Sequence, residues 1–201
     1  MMQDYITDYI DRLAEGLRRI DPQAIEAVVE ALEQARRRNR RIFLIGNGGS
    51  AATASHMAND LQKFASGGKS LPYRAIGLTD NVPLMTAWGN DESYETIFTR
   101  QLEPLAERGD VLVAITGSGN SPNILHAMTR AREMGLVVIA FLGFTGGKAK
   151  DLADHVLLFP ESHYGRVEDA HLILEHLISN YLRDLPEKGS SLKAKGRSGK
   201  N

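Results

Sequence analysis

Five short apolar runs, RIFLIG (41–46), YRAIGLTD (73–80), DVLVAITG (110–117), LVVIAFLG (136–143) and HVLLFP (155–160), alternate with longer segments of helical periodicity. None shows the strict in–out alternation of a sheet with one wet face, so each is expected to be buried on both sides. Buried strands separated by helices pair in parallel through crossovers. The pattern predicts a doubly wound, three-layer α/β/α sandwich around a five-stranded parallel sheet. In such sheets ligands gather beyond the carboxyl ends of the strands, so the loops after the first and third runs are the expected binding positions.

Two helices precede the sheet. Ile6, Tyr9, Ile10, Leu13, Leu17 and Ile20 mark the apolar stripe of the first. Asp21-Pro22 restarts the chain with an N-cap and a proline at the first helical position, and Ile25, Val28, Val29, Leu32 and Ala35 mark the second. The second ends in RRRNRR, expected to be a solvated helix end. A last helix over about 165–185 carries Val167, Ala170, Leu174, Leu177, Ile178 and Tyr181. With 201 residues, 42% of them hydrophobic, the chain supplies one well-buried core and not two. Residues 1–185 are therefore expected to form a single domain with an N-terminal helical extension, and PEKGSSLKAKGRSGKN (186–201) a basic, disordered tail.

A formal net charge of −1 carries no basic signature for nucleic acid or an anionic membrane. The lack of cysteine excludes disulfides and thiolate ligands, leaving histidine and carboxylates to hold any metal. Asp4 and Asp8 interrupt what a signal peptide needs, and nowhere do ~18 apolar residues run together. A cytoplasmic protein with a small-molecule ligand, and neither nucleic-acid nor membrane partners, is expected.

GNGGSA (46–51) formally satisfies the G-x-G-x-x-G/A dinucleotide fingerprint after a strand and before a helix. The fingerprint also wants an acidic residue ~20 positions on, and Asp80 lies considerably further. No Gly-Lys-Ser/Thr closes the loop as a nucleotide phosphate loop requires. The glycines alone are equally consistent with a tight strand-to-helix turn. ITGSGNSPNI (115–124) is more specific, because it sets Thr116, Ser118 and Ser121 around two glycines before a helix. Ser121 is placed as N-cap with Pro122 behind it, and hydroxyls beside the unpaired N–H groups of a helix start make a phosphate cradle without Lys or Arg. Asn47 and the backbone of Gly48 and Gly49 would then meet the rest of a phosphorylated polyol.

His56 and Asp60 are four apart, on one face near the start of the helix after the first loop. The last helix offers Glu168, Asp169, His171, Glu175 and His176; Glu168, Leu172 and His176 share a broad face, and His171 and Glu175 make a separate i,i+4 pair. If the two helices converge, two imidazoles and two carboxylates could hold Zn²⁺ or a similar ion. The same groups could move a proton between adjacent sugar carbons.

Together, GNGGSAATASHMANDL, TDNVPLMTAWGNDESYETIF, GDVLVAITGSGNSPNILHAMTRAREMG and GRVEDAHLILEHLI resemble the sugar isomerase (SIS) domain family, and within it the bacterial phosphoheptose isomerases. The resemblance spans about residues 1–185 and implies the flavodoxin-like doubly wound sheet already expected. It implies conversion of sedoheptulose 7-phosphate to D-glycero-D-manno-heptose 7-phosphate through an enediol. It further implies substrate contacts from Asn47, Gly48, Gly49, Ser50, Asn90, Asp91 and Glu168, and a phosphate held by Thr116, Gly117, Ser118 and Ser121. One Zn²⁺ per subunit would lie on His56, Asp60, Glu168 and His176, with Asp60 and His176 moving the proton. A homotetramer with sites between subunits is implied as well. The chain departs from the family in carrying Asp60 for a glutamate, Glu168 for a glutamine and Gly117 for a hydroxyl residue. A non-catalytic scaffold, like the replication-initiator-associating proteins of this fold, and an isomerase of another sugar phosphate are the alternatives.

Overall fold

The structure is a computed structural model that describes residues 1–186. Helices α1 (Met2–Arg18) and α2 (Pro22–Arg37) lead into β1 (Arg41–Gly46), and α3 (Gly49–Asn59) continues as a π-helical segment, Asp60–Ala65. Then follow β2 (Arg74–Gly77), α4 (Val82–Asp91), α5 (Thr99–Leu102), β3 (Val111–Thr116), α6 (Pro122–Met134), β4 (Val137–Gly143), β5 (His155–Phe159) and α7 (Tyr164–Asp184). All five expected strands form, and the sheet is parallel throughout in the order β2-β1-β3-β4-β5. The chain order reverses between β1 and β3, which opens the crevice where doubly wound sheets bind ligands.

Period-two geometry sends alternate strand residues to opposite faces, and both faces are dry. Ile42 and Leu44 of β1, Val113 and Ile115 of β3 and Phe141 of β4 pack beneath α2, α3 and α7. Phe43, Ile45, Leu112, Ala114 and Leu142 enter a second core roofed by α5 and α6. This double burial is the physical reason that the strands lack alternation in sequence.

Two expectations are corrected at the helices. The stripe on α1 forms, but no residue of α1 is buried: Leu13 and Leu17 touch the core, whereas Tyr5, Ile6 and Ile10 face outward. The outer end of α1 is held instead by Tyr9, whose hydroxyl donates to Asp169 of α7 at 2.6 Å and whose ring lies under Arg166. That bond to Asp169 leads the effects that raise the Tyr9 pKa to about 12.

The arginine run is not wholly solvated either. Arg36 is 4% exposed because it serves Glu33, also buried, with Nε and Nη2 donating to the two carboxylate oxygens at 2.8 and 2.7 Å. Arg37 Nε and the Tyr73 hydroxyl add bonds of 2.9 and 2.7 Å, so Glu33 ties α2 to the segment entering β2. Burial alone would raise the Glu33 pKa, but the bonds from Arg36, Tyr73 and Arg37 outweigh it and hold the group at about 2. The expected tail, from residue 187 on, lies outside the described residues. Among the described residues no helix is long and apolar enough to cross a membrane.

Candidate active site

Gly48 adopts φ +55° as N-cap of α3, a conformation that costs glycine nothing. At Gly49 a Cβ would lie 2.5 Å from Oε1 of Glu168, so the missing side chain is what admits that carboxylate to the start of α3. The N-terminal end of a helix favours negative charge. Asn47, just after β1, exchanges amide bonds with Asn123 at the start of α6, 2.9 Å one way and 2.8 Å the other. Asn47 Oδ1 also accepts from the Tyr94 hydroxyl at 3.0 Å. The loops after β1 and β3 are thereby locked together across the crevice.

In the second loop, the Thr116 hydroxyl accepts from Gly119 N at 3.3 Å and is buried, so it shapes the turn. Ser118 is half-buried; its hydroxyl accepts from Asn120 N at 3.3 Å and keeps its own proton to donate. Gly117 is buried, with its carbonyl bonded by Gly143 N. Ser121 occupies the N-cap position as expected, but its hydroxyl makes no capping bond. The Ile124 N–H is satisfied by the Ser121 carbonyl and by Asn123 Oδ1, at 3.1 and 3.0 Å, which leaves the Ser121 hydroxyl free to face an anion.

His56 and Asp60 do share a face, His56 Nε2 lying 3.9 Å from Asp60 Oδ1. They sit at the end of α3 and not near its start, because the α-helical stretch is only Gly49–Asn59. Asp60 opens the π-helical turn, a local widening that often re-aims side chains at functional sites. Helix α7 runs alongside α3 in the same direction, Glu168 against Gly49 and His176 against His56. The two Nε2 atoms are 3.3 Å apart, with the rings edge to face at 82°.

The fourth member of this cluster is Glu175: His56, Asp60, Glu175 and His176 each bring one ligand atom within 4.8 Å of all the others. Glu168 is not among them and stays two helical turns away at Gly49. Glu175 is fully buried, with Oε2 3.5 Å from His176 Nε2 and Oε1 accepting from Ser179 at 3.3 Å. Burial, followed by the neighbouring Asp60 carboxyl, raises the Glu175 pKa to about 7. His171, one turn before Glu175, belongs to the core beside Phe141, where burial lowers its pKa to about 4 and keeps the ring neutral. Ser50 is buried in the first turn of α3. Asn90 and Asp91 are exposed at the end of α4 and bond to each other at 2.8 Å. Among the described residues, the hydrogen bond of that pair joins Asn90 to Asp91 and not to the cluster.

The donor set suits a divalent cation. Two nitrogens at ~2.0–2.1 Å from a tetrahedral ion stand roughly 3.3 Å apart, which is the separation that His56 and His176 already hold. Without a cation, two imidazole nitrogens face two carboxyl groups with no Lys or Arg among the bonds to this cluster.

Loops that offer hydroxyls and helix N–H groups to an anion, at one end of α3, and a histidine–carboxylate cluster able to move protons, at the other, fit an enzyme that acts on a phosphorylated small molecule. The model of the SIS domain family matches residues 4–143. The phosphoheptose isomerase of Clostridium acetobutylicum is 42% identical over 157 residues, 78% of this chain and 79% of that one. That of Aquifex aeolicus is 37% identical over 164 residues, 81% and 85% of the two chains. The solved phosphoheptose isomerase GmhA from Neisseria gonorrhoeae superposes with a TM-score of 0.84 at 29% identity, over 92% of this chain and 100% of that one. The chain belongs to the SIS domain family, on its phosphoheptose isomerase branch.

Proposed function

We propose that this enzyme isomerises sedoheptulose 7-phosphate to D-glycero-D-manno-heptose 7-phosphate through an enediol. The observation that carries the reading is the convergence of His56, Asp60 and His176 within one cluster, at the far end of a helix whose start abuts the crevice. The run from Gly49 to His56 is roughly 10 Å at ~1.5 Å per residue, a length that an extended sugar phosphate spans. The phosphate is gripped by the Ser118 and Ser121 hydroxyls on the loop shaped by Thr116 and Gly117, and the sugar hydroxyls by Asn47, Ser50 and the backbone of Gly48 and Gly49. The reacting carbons lie at the cluster. There the Asp60 carboxylate takes the proton from C1 of the ketose, giving the enediol, and returns it to C2; the His176 imidazole carries the accompanying proton between the two oxygens.

His56, Asp60 and His176 would hold one Zn²⁺ per subunit, with Glu168 nearer the substrate end than the resemblance implies. Such an ion, when bound, polarises the carbonyl oxygen. A homotetramer completes the site, bringing Asn90 and Asp91 to a neighbour's substrate. The outward Tyr5, Ile6 and Ile10 of α1 and Ile173, Leu177 and Tyr181 of α7 support this, as apolar side chains that one chain leaves uncovered. So does a groove of about 490 Å³ between α2 and α7, lined by Ile25, Val29, Leu177 and Leu185. Residues 1–185 act as one domain in a cytoplasmic enzyme.

Incubating zinc-replete protein with sedoheptulose 7-phosphate should yield the heptose aldose by mass spectrometry and a colorimetric aldose assay. Inertness on that sugar, with turnover of a pentose or hexose phosphate, would move the enzyme to another substrate; inertness on all of them would leave a binding scaffold. Replacing Ser118 by alanine is expected to raise KM about tenfold while kcat changes less than about twofold, since a hydrogen bond to a charged group contributes ~1.5–3 kcal/mol. A fall in kcat at constant KM would mean that this hydroxyl does not grip the phosphate in the ground state.

A further inference from the structure

Glu175 has no use in the mechanism above, yet its carboxyl group is fully enclosed. One oxygen accepts from Ser179; the other, Oε2, is buried and receives no N–H or hydroxyl, and the carboxyl group faces that of Asp60. A buried carboxyl oxygen left unpaired is costly unless something of positive charge meets it. That oxygen points at the cluster, 3.5 Å from His176 Nε2, close to the roughly 3.4 Å edge expected between nitrogen and oxygen ligands of one tetrahedral ion.

We propose that Glu175 is a direct ligand of the cation at the His56–Asp60–His176 cluster, the protein's fourth donor in place of Glu168. The inference rests on the reading that this cluster binds a divalent cation. Two carboxylates, one of them fully buried, neutralise a dication, which a site with one carboxylate does not. The second carboxylate also gives Asp60 a freedom it would otherwise lack. Asp60 can accept a substrate proton while Glu175 keeps the cation's countercharge in place. Glu168, freed from ligation, stays at the N-terminal end of α3 to meet substrate hydroxyls.

The test uses the full chain, stripped with a chelator, and measures Zn²⁺ affinity by competition with a chromogenic chelator. Losing a supporting residue costs ~10–100-fold in metal affinity, so Glu175→Gln and Glu175→Leu are both expected to weaken Zn²⁺ by more than about tenfold. The visible spectrum of the Co²⁺-loaded protein is expected to change in both variants, which a residue that merely orients His176 would not cause. Stripped of metal, both variants are expected to melt above the stripped parent, because the buried carboxyl group that crowds Asp60 has gone.

Zn²⁺ affinity within about tenfold of the parent in either variant, an unchanged Co²⁺ spectrum, or a stripped variant that melts below the parent would each overturn the proposal. His176→Ala separates the two levels of the argument. If the parent binds Zn²⁺ and His176→Ala does not, while Glu175→Gln does, the metal site stands and only the role of Glu175 falls. If the parent itself binds no Zn²⁺, both fall.

Discussion

His176→Ala is expected to lower kcat for sedoheptulose 7-phosphate isomerisation by at least ~10³-fold, because on the proposed reading one substitution removes both a proton carrier and a cation ligand. A positioned acid or base contributes about 10²–10⁴-fold. The fold should survive, since the side chain is 44% exposed and its ring meets only His56, edge to face, and the carboxyl groups of the cluster. A melting temperature within a few degrees of the stripped parent would separate lost chemistry from lost structure. Steady-state turnover within about tenfold of the parent would remove His176 from the mechanism.

The second large effect is on stability. Glu33→Gln takes from the buried Arg36 the carboxylate that receives its Nε and Nη2, and breaking a buried pair in this way costs about 3–5 kcal/mol. In a chain of this size that corresponds to a melting temperature lower by roughly 10 °C. The acid limb of the stability curve should change with it. Glu33 is held at about 2 in the folded protein, below its ordinary value of 4.5. Its contribution is therefore fully present above pH 4.5 and fades as the pH falls toward 2. The variant should lack that part of the pH dependence while turning over normally at low temperature, because Glu33 lies on α2 away from the crevice. Equal melting temperatures at neutral pH would show that the network contributes little.

The fold was legible because the physics that builds a doubly wound sheet writes itself into short stretches. Runs such as LVVIAFLG are apolar at every position because both faces are covered, and the helical segments between them call for parallel crossovers. His56, Asp60 and His176 were legible from residue type and spacing, but their meeting depends on α7 lying beside α3, which no local pattern encodes. Glu175 shows the limit most clearly. The resemblance pointed to Glu168, whereas the cluster takes in the residue adjacent to His176, on the buried stripe of Val167, His171 and Leu174. A signal was present: a carboxylate at a core position of an otherwise apolar run, HLILEHLI, is out of place unless a partner waits for it. Tyr94 had no such signal, because the segment between α4 and α5 carries no periodicity, and its bond to Asn47 is a matter of long-range packing.

The widened turn that begins at Asp60 sets two demands on one helix. Upstream, His56 must look toward α7; downstream, Leu61 and Ala65 must sink into the sheet-facing core. At about 100° per residue a uniform α-helix would already set Ala54, Ala58, Leu61 and Ala65 on one face and His56 on the other, so what the widened turn changes is the aim of Asp60, where it begins. The loosened coil acts as a phase adjuster for a short side chain: it turns the Asp60 carboxyl toward His56 by rotating the backbone, where an aspartate has no reach to spare.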